Sequence, residues 1–216
     1  MHGSGTGGIS SQKSGIKMKK VGKKYTADMT AGSLLTYETR IVAGLLVEGN
    51  DFKQIRQMVE KQNVLQKRSI EAAKRMFSLI KNRLDEFDEE FFKLIYYADA
   101  DTAKQAILVA TINNSLIMEE FMLTMVREKY LTGDKKLTNV AWNRFIDNSK
   151  LGNPDFPKWS EQTFQKIGNC IYRSLNEAGF LSDENELQGV YVSRELKSYL
   201  ENKNKHQLLR CLEVSL

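Results

Sequence analysis

The chain carries a run of cationic side chains between Lys53 and Arg83, and cations at this density attract phosphate groups. Nine basic residues stand against two acidic ones, so the run has a net charge of +7. The adjoining stretch 85–101 reverses the sign, with seven carboxylates against Lys93 alone. The contrast predicts a local polyanion-binding surface, although the same cations could serve solubility alone. The basic residues are Lys53, Arg56, Lys61, Lys67, Arg68, Lys74, Arg75, Lys81 and Arg83.

Two helices joined by a turn are predicted to position these cations. Asp51 is a suitable N-cap for the first helix, and Ser69 is a suitable N-cap for the second. In the second helix, apolar residues recur at the spacing of three and four that marks a buried stripe. Most of the basic side chains then point outward. The predicted stripe consists of Ile70, Ala73, Phe77, Ile80 and Leu84.

This positive helix pair resembles the units with which many proteins contact double-stranded DNA. The residues expected at or near the phosphate backbone are Lys67, Arg68, Lys74 and Arg75, whereas Lys53, Arg56, Lys61, Lys81 and Arg83 add to the field. The backbone N–H of Ser69, at a helix start, is predicted to donate to a phosphate oxygen. The only aromatic residue of the stretch, Phe77, lies on the buried stripe, which favours duplex over single-stranded nucleic acid.

The whole chain is predicted to be mainly α, a multi-helix protein with two units. The N-terminal unit is helix-turn-helix-like, and the C-terminal unit is helical, with a winged helix as one form that it could take. We predict a disordered basic leader at 1–24, an N-terminal helical domain at 25–150 and a C-terminal helical subdomain at 151–216. Residues 1–17 are rich in Gly and Ser and read as an addition to the natural chain.

Four further elements are expected outside the basic run. The first helix should begin near Thr30, and one long helix should run from Thr102 to Leu131, because its middle is apolar nearly all round. A helix at 160–178 should be followed by a short hairpin that ends near Val192. A second candidate nucleic-acid site is predicted on that helix, formed by Lys158, Lys166 and Arg173.

The sequence argues against catalysis. It contains no glycine loop that would cradle phosphate, no GxSxG and no HExxH. Cys170 and Cys211 stand 41 residues apart and His206 is isolated, so no zinc pattern is present. We therefore predict no enzyme activity, catalytic residue, metal, cofactor or small-molecule substrate.

No membrane segment is expected either. The longest uncharged apolar stretch, 105–118, has 14 residues, and a bilayer requires about 20. Residues 1–15 lack the apolar centre of a signal peptide. These observations predict a cytoplasmic protein with reduced cysteines.

The segments Thr30–Leu35 (TAGSLL), 63–69 (NVLQKRS) and 175–181 (LNEAGFL), together with Arg83-Leu84, resemble the BrxA family of bacterial BREX phage-defence clusters. The resemblance covers roughly residues 25–213. It implies a small, mostly helical, non-enzymatic accessory protein, likened to antitermination factors and thought to bind nucleic acid. Such proteins are encoded beside an ATPase, a DNA methyltransferase and a phosphatase-like protein. The resemblance supplies no binding motif, so the site residues above rest on charge and periodicity.

The sequence therefore predicts an accessory protein of phage defence that binds double-stranded DNA mainly through its phosphates. Two other functions remain open. One is an adaptor whose basic helices dock on an acidic surface of another BREX protein. The other is an RNA-binding factor of the antitermination type.

Overall fold

The computed structural model describes residues 23–213, and its regular structure is almost entirely α-helical. This confirms the predicted mainly α class. A 3-10 turn (Asp28–Ala31) precedes the first helix, and a π-helical stretch (Met122–Val126) joins α6 to α7. The helices are α1 (Thr36–Val47), α2 (Phe52–Gln62), α3 (Ile70–Leu84), α4 (Glu89–Tyr97), α5 (Ala100–Asn114), α6 (Leu116–Phe121), α7 (Arg127–Thr132), α8 (Asn139–Gly152), α9 (Glu161–Glu177), α10 (Arg194–Asn202) and α11 (His206–Leu212).

Local capping signals start the two basic helices where the sequence predicted. The Asp51 carboxylate accepts the N–H of Gln54 at 2.7 Å, and the Gln54 side chain accepts the N–H of Asp51 at 2.7 Å. This reciprocal pair is a capping box, which satisfies two N–H groups that a helix start leaves open. The Ser69 hydroxyl accepts the N–H of Ala72 at 3.2 Å and caps α3 in the same manner.

Two predictions about α1 and α3 are wrong. The first α-helix begins at Thr36 and not near Thr30, because Leu35 adopts a left-handed backbone with φ of 56° and breaks the chain direction there. Ile70, expected on the buried stripe of α3, is 49 % exposed. As the first residue of α3, it precedes the part of the helix that packs on the core. The other four predicted stripe residues are buried.

The predicted helix from Thr102 to Leu131 is wrong as a single element. Ser115 is extended, with φ of −118° and ψ of 100°, and the chain turns by 108° between α5 and the helical segment that follows. The Ser115 hydroxyl then accepts the N–H of Met118 at 3.4 Å and starts α6. Both segments are buried, so the apolar pattern continues across the break and conceals it.

Within residues 23–213, no single helix is long and apolar enough to cross a membrane. Only the bent pair of segments on either side of Ser115 reaches the required length and composition when both are taken together.

One hydrophobic core runs through the described chain, and α5 lies at its centre with most of its residues buried. Buried residues on both sides of the stretch 151–158 belong to this core, including Phe145 before it and Phe164 after it. The helices on either side of the predicted domain boundary are therefore packed together, and the boundary itself stays a prediction.

The C-terminal hairpin lies earlier in the chain than predicted. Leu181 and Leu187 make an antiparallel bridge, while residues 189–192 have no regular structure. The backbone of the latter segment is held by a side chain of α5 instead, since the Gln105 amide donates to the carbonyl oxygen of Tyr191 at 2.8 Å. The predicted end of the preceding helix is confirmed, because Gly179 follows α9 with φ of 80°.

Candidate nucleic-acid interface

Helices α2 and α3 pack side by side in opposite directions. Near the end of α2, Glu60 lies 3.8 Å from the amine of Lys74, in the first half of α3. At the other end, the Lys81 amine lies 5.4 Å from the ring centroid of Phe52, the first residue of α2. The cations of the two helices therefore share one region of the surface.

The turn between these helices, residues 63–69, is fixed by hydrogen bonds and by burial. The Asn63 amide donates to the carbonyl of Lys67 at 2.9 Å, and the Asn63 side-chain oxygen accepts the Lys67 N–H at 2.9 Å. Leu65 is fully buried beneath the turn. With seven residues, this link is longer than the three or four residues of a typical helix-turn-helix. The structure thus shows a helix pair with a defined turn, and the helix-turn-helix assignment stays a prediction.

Eight of the nine basic residues predicted for this site lie at the surface, and half of these are engaged by carboxylates. Arg56 is 3.0 Å from Glu60, and Lys81 is 3.1 Å from Asp85. Lys67 forms an ion pair with Glu38 of α1, and Lys74 shares Glu60 with Arg56. We call these four the paired set: Arg56, Lys67, Lys74 and Lys81.

The other four surface cations have no ion pair among residues 23–213, and all four are exposed. We call them the unpaired set: Lys53, Lys61, Arg68 and Arg75. At 100° per residue, Lys53 and Lys61 lie about 80° apart around α2, on the side opposite its buried residues. Arg68 is in the turn, and Arg75 is on the outer face of α3. Unpaired cations can meet a phosphate without first losing a carboxylate partner.

Ser69 lies at the start of α3, as predicted, and is exposed. Its hydroxyl is used as the cap of the helix, because it accepts the N–H of Ala72. The negative charge of Glu71, in the first turn of α3, repels a phosphate at this position. The role of Ser69 in binding phosphate stays a prediction.

Arg83 does not contribute to this surface. It is 1 % exposed, and its guanidinium donates to the carbonyl oxygens of Gly32 at 3.0 Å and Ser33 at 2.6 Å. A third carbonyl, that of Leu34, accepts at 3.2 Å. Burial lowers the pKa of Arg83 to about 10. The prediction that Arg83 adds to the surface field is therefore wrong, because α3 turns this position towards the core.

Glu177, at the end of α9, holds the same backbone segment from its other side. Its carboxylate accepts the Ser33 hydroxyl at 2.8 Å and the N–H of Leu34 at 3.3 Å. We call Arg83, Glu177 and the segment 32–34 the Arg83 hub. Three of the sequence segments that carry the family resemblance thus meet in one place. Sequence reasoning missed this role, although the position of Arg83 beside Leu84 on the buried stripe was a usable signal.

The second candidate site is only partly on a helix. Lys166 and Arg173 are exposed on α9, seven residues or about two turns apart, and therefore lie on the same side of it. Lys158 is also exposed, but it lies in the loop before α9, so its placement on the helix is wrong. The helix α9 packs mainly on the turn 28–31, α5 and α8.

The part of the chain that the structure describes contains no group of three or more His, Cys, Asp or Glu side chains placed to hold a metal ion. Asp88, one of the acidic residues after α3, instead makes contacts within the fold. Asp88 caps α4 by accepting the N–H of Phe91 at 3.3 Å, and it also pairs with Lys203 at 2.8 Å. These contacts lower the pKa of Asp88, although partial burial opposes them.

Fold and site together define a class: a helical protein with one core whose most distinctive surface is a cationic helix pair. The sequence matches the BrxA family over residues 23–204, and the chain belongs to this family, which is part of the BREX phage-defence system.

Similar proteins support this assignment along nearly their full length. The BREX protein BrxA of Paramagnetospirillum magneticum (strain AMB-1) is 35 % identical over 195 residues, covering 89 % of this chain and 98 % of that protein. The BREX protein BrxA of Escherichia coli O9:H4 (strain HS) is 27 % identical over 201 residues, covering 92 % and 94 %. A crystal structure of an uncharacterized protein from Magnetospirillum magneticum superposes with a TM-score of 0.81 at 34 % identity, covering 89 % of this chain and all of that one.

Proposed function

We propose that this chain is a non-enzymatic component of BREX defence that binds double-stranded DNA through the phosphate contacts of α2, the following turn and α3. The observation that carries the proposal is the unpaired set, four exposed cations on one pair of antiparallel helices and the turn between them. Each cation that meets a phosphate releases a counterion, so binding energy comes largely from the salt-dependent release of ions. Nothing on this surface specifies a base sequence.

Two quadruple variants test this proposal against a matched control. K53Q/K61Q/R68Q/R75Q removes the unpaired set, and R56Q/K67Q/K74Q/K81Q removes the paired set. Both lose four positive charges, so a difference between them reports direct contact and not net charge. We expect the unpaired-set variant to lose most of its affinity for a 20-base-pair duplex in an anisotropy titration. The paired-set variant should retain more affinity, and equal losses would contradict the proposal.

The protein for this test should lack residues 1–22, which lie outside the described residues and contain four lysines. A truncation that also removes Lys23 would remove a contact of the fold, because the Lys23 amine lies 3.3 Å from the carboxylate of Glu119. The predicted leader at 1–24 therefore includes a residue that is attached to the core.

A role as an adaptor is the second candidate, and one observation favours it. Tyr37 and Tyr97 are 57 % and 69 % exposed, and tyrosines are enriched where proteins meet. A pure adaptor would not retard duplex DNA in a mobility shift with purified protein alone. Competition between duplex DNA and a structured RNA of equal length separates DNA binding from the antitermination-like alternative, and we expect the duplex to compete better.

A further inference from the structure

A pocket lies between the end of α8 and the start of α9, away from the helix pair α2–α3. Its volume is about 500 Å³, and its apolar wall consists of Pro154, Phe156, Pro157 and Trp159. Phe156 is buried, whereas Trp159 is only half-buried and lines the pocket. The pocket therefore offers a flat aromatic surface that a ligand can reach.

The wall of the pocket is held in place by ring contacts. The rings of Phe156 and Phe164 are parallel within 3°, with centroids 5.8 Å apart. Tyr25 packs edge-on against Phe156 at 5.2 Å, and Trp159 lies 5.6 Å from Phe164. Two prolines further restrict the loop. A surface that is already ordered loses little entropy when a ligand binds to it.

The charged residues that line the pocket are both cationic, Lys150 and Lys158. Neither has an ion pair among the described residues of the chain. The Lys150 amine is held 5.2 Å from the ring centroid of Phe164, which positions it beside the aromatic wall. This combination of aromatic rings and amines without carboxylate partners is complementary to a ligand that is both aromatic and anionic.

The neutral polar side chain of the pocket is already occupied. The Asn153 amide donates to the Tyr25 hydroxyl at 3.0 Å, and its oxygen accepts the N–H of Asp155 at 3.0 Å. An extended peptide would need such groups for its backbone, whereas a nucleobase needs a ring to stack on and its phosphate needs a cation. The chemistry therefore favours a nucleotide over a peptide.

We propose that this pocket binds one unpaired base of a single-stranded nucleic acid, with the base stacked on Trp159 and the adjacent phosphates at Lys150 and Lys158. Stacking on a ring face discriminates poorly between bases, so little base preference is expected. The site does not depend on duplex binding by α2–α3, and it would add a contact for single strands that the helix pair lacks.

Tryptophan fluorescence of the full-length protein provides a direct measurement. The chain has two tryptophans; Trp142 is 1 % exposed, so a quencher in solution reaches mainly Trp159. A single-stranded hexanucleotide should quench the emission in a saturable manner at low salt. Trp159→Leu should abolish this quenching and weaken hexanucleotide binding by roughly 5- to 150-fold in anisotropy, the range for loss of one stacked base.

Charge variants test the phosphate contacts with a matched control. K150Q/K158Q should weaken hexanucleotide binding several-fold. K135Q/K136Q removes the same charge from exposed residues before α8 and should leave binding unchanged. K53Q/K61Q/R68Q/R75Q should lose duplex binding but keep the hexanucleotide quenching, which separates this proposal from the proposed duplex site.

Three results would overturn the inference. One is the absence of quenching in the wild-type protein, and another is unchanged affinity of a folded Trp159→Leu variant. If that variant fails to fold, Lys158→Glu decides, because Lys158 is exposed in a loop. Unchanged hexanucleotide affinity of Lys158→Glu is the third contradicting result, and a clear loss supports the site.

Discussion

The outer face of α2–α3 and the Arg83 hub use the same residue types for opposite purposes. On the outer face, Arg75 is exposed to solvent without an ion pair in the described chain, whereas Arg83, two turns later on α3, is buried against three backbone carbonyls. One arginine is available to a partner outside the protein, and the other fixes a segment 50 residues earlier in the chain. A count of positive charges along a sequence therefore overstates the binding surface, because part of the charge belongs to the fold.

The largest expected effect concerns the stability of the hub. Arg83→Met should lower the free energy of unfolding by about 3 kcal/mol or more, because it leaves buried carbonyl groups without donors. Arg75→Met, the same change at an exposed position of the same helix, should change it by less than about 0.5 kcal/mol. Urea denaturation of both variants measures the difference. Similar stabilities for the two variants would show that Arg83 is not a structural residue.

A smaller effect is expected for the other side of the hub. Glu177→Gln keeps the shape of the side chain but removes its charge, so the hydrogen bonds from Ser33 and Leu34 are weakened and not abolished. We expect a loss of about 1 kcal/mol in the free energy of unfolding, since hydrogen bonds to charged groups are worth about 1.5–3 kcal/mol. Glu161→Gln, at an exposed site on the same helix, serves as the control. An unchanged midpoint of urea denaturation for Glu177→Gln would show that the charge of Glu177 does not stabilise the hub.

The capping box of α2 allows the outer face to be tested separately. Asp51→Ala should lower the free energy of unfolding by about 1 kcal/mol, because the first turn of α2 loses its hydrogen-bond acceptor. Asp51→Asn retains an oxygen at this position and should lower the free energy of unfolding by only a few tenths of a kcal/mol. Thermal unfolding distinguishes the two. If both substitutions are equally harmful, the charge of Asp51 and not its capping bond stabilises the helix.

The smallest effect concerns the cysteines, which the sequence predicts to be reduced. Burial raises the pKa of the Cys170 thiol, so less thiolate is present at pH 8 than in a free cysteine, and alkylation should be slow and should accelerate as the pH rises. Cys211 is fully buried and should react only after unfolding. Mass spectrometry of freshly prepared protein checks both expectations. A disulfide between the two residues would contradict them.

Local features of the fold could be predicted from the sequence. The caps at Asp51 and Ser69 each accept the N–H of a residue three positions later in the chain. Features that depend on distant partners could not be predicted. The break at Ser115 interrupts a continuous run of buried residues, and the engagement of Lys67 depends on Glu38, 29 residues away.

The same limit applies to the candidate site. Charge and periodicity placed eight basic residues on the surface correctly, but they could not tell the paired from the unpaired cations. Arg83 was misassigned because its partners lie in a segment that has no charge of its own. The pocket beside Trp159 was not predicted, because it combines Lys150 of α8 with residues of the loop 153–159.

Phosphate binding by the unpaired set is tested by the salt dependence of duplex binding, measured with the protein without residues 1–22. If the unpaired set makes four phosphate contacts, the logarithm of the association constant should fall with the logarithm of the salt concentration at a slope of about −3.6. We expect K53Q/K61Q/R68Q/R75Q to bring this slope close to zero and R56Q/K67Q/K74Q/K81Q to leave most of it in place. A slope that is unchanged in the first variant, or equally reduced in both, would contradict phosphate binding by the unpaired set.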